Sequence, residues 1–131
     1  ALILHADLPL ATSSDIDDII RAHQHNTAIV TLIPDNHSNG TNAMVLTLPT
    51  TMQFFYGNQS YSTHRDFCRT HGISEQTVYN TRVGSDIDLW QDFAPLLSLR
   101  TAGTRPQLSL WLEQYGELFD SPLFKSPYAH T

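Results

Sequence analysis

The feature that most constrains the fold is the opening segment, residues 1–10, in which an apolar run is followed by a carboxylate and a proline. Ala1 to Leu4 is continuously apolar, which is typical of a strand buried on both faces of a parallel sheet. Asp7 follows where that strand would end, and Pro9 prevents a simple continuation. Open α/β sheets place their ligands at the carboxyl ends of parallel strands. Asp7 is therefore either a ligand-binding residue or the cap of a turn, and both interpretations stay open.

The composition limits the class of protein. The chain has 131 residues, of which 40% are hydrophobic, and a formal net charge of −6. That length allows one domain with a modest core. No apolar run approaches the ~20 residues needed to cross a membrane, and the acidic charge argues against a broad nucleic-acid surface. The single cysteine, Cys68, excludes an internal disulfide and is typical of a reducing compartment, so we expect a cytoplasmic protein.

The rest of the chain alternates between helical and strand patterns. Helices are predicted at about 14–25, 60–70, 89–97 and 107–119. Further strands are predicted at 27–33, 41–48, 51–55 and 76–82. Asp15 lies in the first helical turn, where we expect a purely structural role, and His23 near the helix end is expected to be solvated. Because the chain begins in what reads as mid-strand, with no leader, we expect Ala1 to be an interior residue of a longer protein.

Two segments carry candidate chemistry. The turn from Tyr56 to Ser60 leads into a helix, and backbone N–H groups at such a start, with a glycine nearby, can bind a phosphate. An ordinary helix N-cap explains the same residues. Further on, Asp86 and Asp88 are two residues apart in extended chain, so both carboxylates point the same way, as a divalent metal needs. Asp88 with Gln91 also resembles a capping box, which is its structural alternative.

Four motifs in this order resemble the 2-phospho-L-lactate and phosphoenolpyruvate guanylyltransferase family. They are Asp7-Leu-Pro-Leu, Gly40-Thr-Asn-Ala, Tyr56-Gly-x-x-Ser-Tyr and Asp86-Ile-Asp-x-x-x-Asp92. The resemblance covers about residues 1–97 and implies an α/β fold, a Rossmann-like nucleotidyltransferase three-layer sandwich, incomplete here at its N-terminus. Residues 98–131 would then be a linker, an extra amphipathic helix and a loosely ordered tail.

The resemblance also implies roles for individual residues. In the family, the acidic residues matching Asp7, Asp86 and Asp88 hold Mg²⁺. The positions matching Thr41, Gly57 and Ser60 contact the phosphate and carboxylate of the acceptor. The implied partners are GTP and a small phosphorylated carboxylic acid: phosphoenolpyruvate, 2-phospho-L-lactate or 3-phosphoglycerate. The implied reaction transfers GMP to that acid and releases pyrophosphate, on the route to a deazaflavin redox coenzyme.

One expected feature is absent from the sequence. In the family, a glycine-rich nucleotide loop precedes the Asp-Leu-Pro motif, and the 131 residues contain no such loop. We therefore expect this chain to hold the acceptor and metal half of an enzyme and to be inactive alone. Two alternatives stay open: a non-catalytic domain that binds an anion or a protein, and a related nucleotidyltransferase with another acceptor.

Overall fold

The computed structural model describes residues 1–87 together with Leu110 and Gln114. The chain divides into two compact units, Ala1–Asp86 and Ile87–Thr131, and the four-stranded sheet belongs to the first unit. The predicted helix at 89–97 and the predicted boundary near residue 97 lie outside the described residues. Within the predicted helix at 107–119, both described positions are helical.

The first unit combines a four-stranded sheet with two helices. The strands are β1 (Leu2–Leu4), β2 (Val30–Pro34), β3 (Thr41–Leu46) and β4 (Glu75–Thr77). The helices are α1 (Ser13–Gln24), between β1 and β2, and α2 (Ser60–Thr70), between β3 and β4. The predicted mixed α/β class is confirmed, while the Rossmann-like three-layer sandwich stays a prediction. Within the part of the chain described, no helix is long and apolar enough to span a bilayer.

The sheet has the strand order β1-β3-β2-β4. Strand β3 runs antiparallel to both of its neighbours, with Ile3 opposite Met44 and Leu32 opposite the same residue on the other side. Strand β4 runs parallel to β2. Residues 35 to 40 connect β2 directly to β3. Such a short connection is possible because the two strands are antiparallel.

The prediction that the first strand is buried on both faces of a parallel sheet is wrong. Strand β1 pairs antiparallel with β3 and has no second neighbour among residues 1–87. Leu2 and Leu4 are 37% and 41% exposed. An apolar run of four residues cannot distinguish a central strand from an edge strand, because the position depends on partners far away in the sequence.

The core consists of two apolar clusters that the alternation of strand side chains assigns to opposite faces of the sheet. One contains Leu32 and Met44 together with Tyr61 and Cys68 of α2. The other cluster contains Ile33 and Ala43, at the adjacent strand positions, together with Ile19 of α1. Its remaining members are Leu8, Val45 and Val83. Each helix therefore packs on a different face. Cys68 is fully buried, as predicted for a core residue, and burial raises the pKa of its thiol to about 11.

The short strand predicted at 51–55 is not formed. Of the strand predicted at 76–82, only the first two residues belong to a strand, β4, and residues 81–84 form a turn. The prediction of a solvated His23 is also wrong. His23 is buried, with Nδ1 at 2.7 Å from Thr31 Oγ1 and Nε2 at 2.9 Å from Thr47 Oγ1. Its spacing from Ile19 placed it on the apolar face of α1, and the threonines of the sheet satisfy both ring nitrogens.

Candidate functional site

The N-terminus of α2 lacks a side-chain cap. Its N-cap residue, Gln59, has φ 60° and ψ 25°, and its side chain forms no capping hydrogen bond. Gly57 precedes it with φ +118°, and a Cβ built there would meet nothing within 4 Å. Glycine is therefore required at position 57 by the backbone conformation and not by lack of space. The N-cap lies within the turn, as the alternative of an ordinary helix N-cap requires, but no side chain caps the helix, and Ser60 is its first residue.

Thr41 and Ser60, two of the residues predicted to contact an acceptor, lie against each other. The backbone N–H of Thr41, at the start of β3, donates to Ser60 Oγ over 2.9 Å. Thr41 is 1% and Ser60 is 3% exposed. A second main-chain bond, from Tyr61 N to Asn39 O at 3.2 Å, joins the same two segments. The structure therefore brings together the start of β3 and the start of α2, two elements 19 residues apart in the sequence.

His64 is the third member of this buried cluster, and the sequence analysis missed its contacts. It is fully buried one turn into α2. Its Nδ1 lies 2.9 Å from Thr41 Oγ1, and its Nε2 accepts the backbone N–H of Phe55 over 2.8 Å. Burial lowers the pKa of His64 to about 4, so the imidazole is neutral at pH 7. Its spacing of four residues from Ser60 was the available signal, since it places both side chains on the same helix face.

The segment that carries Asp7 lies beside this cluster. The ring of His5, two residues before Asp7, packs against Tyr56 with a centroid distance of 5.2 Å, and Tyr56 also contacts His64. Asp7 is exposed and, within the described part of the chain, forms no hydrogen bond or ion pair. The carboxylate that follows β1 and the glycine turn that precedes α2 are therefore on neighbouring segments of the first unit.

Asp86 lies directly after a turn that three other segments hold in place. The side chain of Asn36, after β2, donates to Thr81 O at 3.2 Å and to Ser85 Oγ at 2.9 Å. Asn42, on β3, donates to Val83 O at 3.1 Å. Gly84 fits because it has no side chain: an added Cβ would lie 2.5 Å from Asn36 Oδ1. Gly84 is therefore required by the close approach of Asn36, whereas Gly57 is required by its backbone conformation.

The third anchor of this turn comes from α1. Asp15 closes a capping box with Thr12 and also accepts from Arg82 Nε at 2.8 Å and Asn80 Nδ2 at 3.0 Å. Asp15 is 1% exposed. The Arg82 guanidinium holds the pKa of the Asp15 carboxyl well below its usual range. The predicted helix-dipole role of Asp15 is thus only part of what it does, because its ion pair joins α1 to a turn 67 residues away.

The predicted three-carboxylate metal site is only partly visible. Asp7 and Asp86 are described, and Asp86 is half-buried, whereas Asp88 lies outside the described residues. Among the residues that are described, no three His, Cys, Asp or Glu side chains converge on a position that could hold a metal ion. The assignment of Asp7, Asp86 and Asp88 to one Mg²⁺ site, and of Thr41, Gly57 and Ser60 to an acceptor, therefore stays a prediction.

Comparison with known proteins identifies the family. Residues 1–107 match the family described as guanylyl transferase CofC like. The phosphoenolpyruvate guanylyltransferase of Thermobaculum terrenum is 30% identical over 99 residues, which are 76% of this chain and 43% of that protein. That of Sphaerobacter thermophilus is 32% identical over 72% of this chain and 45% of its own.

Another relative is named for a different acceptor. The 2-phospho-L-lactate guanylyltransferase of Methanoculleus marisnigri is 29% identical over 74% of this chain and 43% of its own. The chain thus spans a little under half the length of these curated relatives. The family match covers the β1 end, the glycine turn before α2 and the turn that precedes Asp86. The chain belongs to the guanylyl transferase CofC-like family.

Proposed function

We propose that this chain supplies the acceptor-binding and metal-binding part of a guanylyltransferase. Its acceptor would be a small phosphorylated carboxylic acid, phosphoenolpyruvate or 2-phospho-L-lactate by the names of its relatives, or 3-phosphoglycerate, and GTP the donor. The product would be an intermediate in the synthesis of a deazaflavin redox coenzyme in the cytoplasm. The observation that carries the proposal is the buried bond from Thr41 N–H to Ser60 Oγ, at a start of α2 that has no side-chain cap.

An anion at this position would meet favourable electrostatics. The helix dipole makes the N-terminal end of α2 positive, while the N–H groups of Ser60 and Tyr61 already donate to Gly57 O and Asn39 O. The left-handed conformations of Gly57 and Gln59 leave the approach to the helix free of a capping side chain. The two hydroxyl groups add short, neutral donors that recognise phosphate or carboxylate oxygens without a lysine. These groups favour an anion at this position although the net charge of the chain is negative.

Mg²⁺ fits the chemistry of the remaining donors. Carboxylates with phosphate oxygens and water are its preferred ligands, and Asp7 has no competing cation among the described residues. Asp7, Asp86 and Asp88 would hold the ion. When bound, it would neutralise phosphate charge between two polyanionic substrates. The three anchors on the turn before Asp86 support this role, because a metal ligand must keep its position.

The reaction needs positioning more than it needs a reactive side chain. An oxygen of the acceptor's phosphate would attack the α-phosphorus of GTP. The bond from that phosphorus to the bridging oxygen would break, and the oxygen would leave as part of pyrophosphate. The attacking phosphate is already an anion, so no base has to remove a proton. The buried, unreactive thiol of Cys68 and the neutral, fully bonded His64 agree with such a mechanism.

Replacement of Ser60 tests the acceptor site. The change Ser60→Ala removes one hydroxyl, and a hydrogen bond to a charged group is worth roughly 1.5–3 kcal/mol. We expect the dissociation constant for phosphoenolpyruvate, measured by titration calorimetry with Mg²⁺ present, to rise about tenfold or more. In an active enzyme that contains this segment, the KM for the acceptor should rise while the KM for GTP changes little.

Ser62→Ala is the matched control. Ser62 lies in the same helical turn, but it is exposed and its hydroxyl donates to Gln59 O at 3.0 Å. Its loss should leave phosphoenolpyruvate affinity within about twofold. Equal effects of the two changes would show that the turn is merely structural. No phosphoenolpyruvate binding by the unmodified chain would overturn the proposed function and favour a non-catalytic domain or another acceptor.

A further inference from the structure

We propose that His64 is a positioning residue that makes the Thr41 hydroxyl a hydrogen-bond donor to the acceptor anion. The inference rests on the proposed function and extends it, because both ring nitrogens of His64 are bonded within the protein and His64 would not touch the acceptor itself. The tautomer of the His64 imidazole determines the direction of the Thr41–His64 hydrogen bond, and that direction leaves the hydroxyl proton of Thr41 for another acceptor.

The contacts of His64 determine its tautomer. Its Nε2 lies 2.8 Å from the backbone nitrogen of Phe55, which can only donate, so Nε2 is an acceptor and carries no proton. A neutral imidazole carries its proton on the other nitrogen. Nδ1 is therefore the donor, and Thr41 Oγ1, 2.9 Å away, is the acceptor. The direction of this bond follows from the main chain.

Both hydroxyl groups of the cluster are consequently used as acceptors. Thr41 Oγ1 accepts from His64, and Ser60 Oγ accepts from the backbone N–H of Thr41. Each hydroxyl still has its own proton, and within the described part of the chain neither proton has an acceptor. Two O–H donors on residues that are 1% and 3% exposed, beside the positive end of α2, are therefore left to donate to an anion.

His23 provides a contrast within the same molecule. It is also buried with both ring nitrogens bonded to threonine hydroxyls, but these are Thr31 and Thr47 in a different part of the sheet. The Thr31 oxygen accepts in addition from Gln76, at 2.7 Å, so that cluster is completed by protein groups. A buried histidine with a structural role is therefore available as a control for His64.

The two amide replacements of histidine separate the two halves of the His64 contact. In His64→Asn the amide occupies the region of Nδ1 and can still donate to Thr41. In His64→Gln the amide reaches the region of Nε2 and can still accept from Phe55, but the donor to Thr41 is lost. Other contacts keep the loop in place in both variants, including the bond from Ser60 N to Gly57 O at 3.1 Å.

The test is titration of the chain and its variants with phosphoenolpyruvate in the presence of Mg²⁺, together with their thermal unfolding. We expect His64→Gln to weaken phosphoenolpyruvate binding about tenfold and His64→Asn to weaken it less than about threefold. His23→Gln should lower the unfolding temperature by a similar amount but leave the affinity within about twofold. Proton–nitrogen correlation spectra should show a protonated Nδ1 and an unprotonated Nε2 in the unmodified chain.

Each other outcome contradicts a specific step. Unchanged affinity in His64→Gln while Ser60→Ala binds weakly would overturn the role of His64 but keep the acceptor site. Equal losses in both His64 variants, or in His23→Gln, would mean that His64 acts only through stability. A protonated Nε2 would reverse the direction of the bond to Thr41. Full affinity in Ser60→Ala would overturn the proposed function itself.

Discussion

His64 and His23 are neutral residues in a buried environment, and this makes the fold sensitive to acid. Burial lowers both pKa values from the ordinary 6.5, that of His64 to about 4. In the unfolded chain the same side chains take up protons as the pH falls through 6.5. The unfolded state then binds more protons than the folded state, so stability falls as the pH decreases from 6.5 toward 4.

We predict that the free energy of unfolding drops by about 2 to 3 kcal/mol between pH 7 and pH 4.5 through His64 alone. Urea unfolding at the two pH values measures this difference. The control is His64→Gln, which cannot take up a proton in this range and should lose most of the pH dependence. The same slope in both proteins would show that His64 does not stay neutral in the folded chain.

At the scale of the elements, the contact of α1 with the turn at residues 80–85 depends on one carboxylate. Asp15 is buried, whereas the side chain of its partner Arg82 is 58% exposed. Water can therefore solvate the charge of Arg82 without the pair, but it cannot reach the charge of Asp15 in the same way. Because the pKa of Asp15 is lowered in the folded chain, the stability that the ion pair contributes is fully present above the ordinary pKa of aspartate, 3.8, and is lost progressively as the pH falls from there toward the lowered pKa. The pair is therefore intact at pH 7.

Asp15→Asn should lower the free energy of unfolding by roughly 1.5–3 kcal/mol, because it keeps the size of the side chain but removes a charged hydrogen-bond acceptor. The matched control is Asp18→Asn on the same helix. Asp18 is exposed and pairs with the exposed Arg21, so its loss should cost less than about 0.5 kcal/mol. Urea unfolding at pH 7 compares the two. Similar losses would contradict a central role for Asp15.

The helices were more predictable than the sheet, for a physical reason. Apolar spacing predicts both helices, and a capping box fixes the start of α1; the predictions at 14–25 and 60–70 agree with the structure within one residue. The edge position of β1 and the brevity of β4 depend on pairing with distant strands, which no local pattern records.

The same distinction applies to the candidate site. Gly57 and Ser60 could be recognised from a short motif. The bond from His64 to Thr41 spans 23 residues and the pair of Arg82 with Asp15 spans 67, so both required the folded chain. The burial of His23 also could not be settled by its local pattern. It depends on the apolar face of α1 and on the threonines of the sheet that bond its ring nitrogens.

At the scale of the whole molecule, the chain spans 43–45% of two phosphoenolpyruvate guanylyltransferases that it matches, and its sequence contains no glycine-rich nucleotide loop. We predict that the 131-residue chain alone does not transfer a guanylyl group. The assay is pyrophosphate release from GTP with phosphoenolpyruvate, 2-phospho-L-lactate or 3-phosphoglycerate and Mg²⁺. A full-length relative is the positive control. Clear Mg²⁺-dependent turnover by the chain would show that its residues include the GTP site.

The central claim is that the acceptor cluster at Thr41 and Ser60 and the carboxylates Asp7 and Asp86 form one site. Phosphorus NMR of phosphoenolpyruvate with Mn²⁺ in place of Mg²⁺ tests this directly, because a paramagnetic ion held beside protein-bound phosphoenolpyruvate broadens the phosphorus signal beyond the broadening measured with Mn²⁺ in the absence of protein. Mn²⁺ accepts the same oxygen ligands.

We predict strong broadening with the unmodified chain and its loss in two separate ways. Ser60→Ala should reduce it by releasing phosphoenolpyruvate, and Asp86→Asn should reduce it by weakening Mn²⁺ binding, with Asp18→Asn as the control that leaves it unchanged. Persistent broadening in Asp86→Asn, or phosphoenolpyruvate bound without any effect of Mn²⁺, would contradict a shared acceptor and metal site.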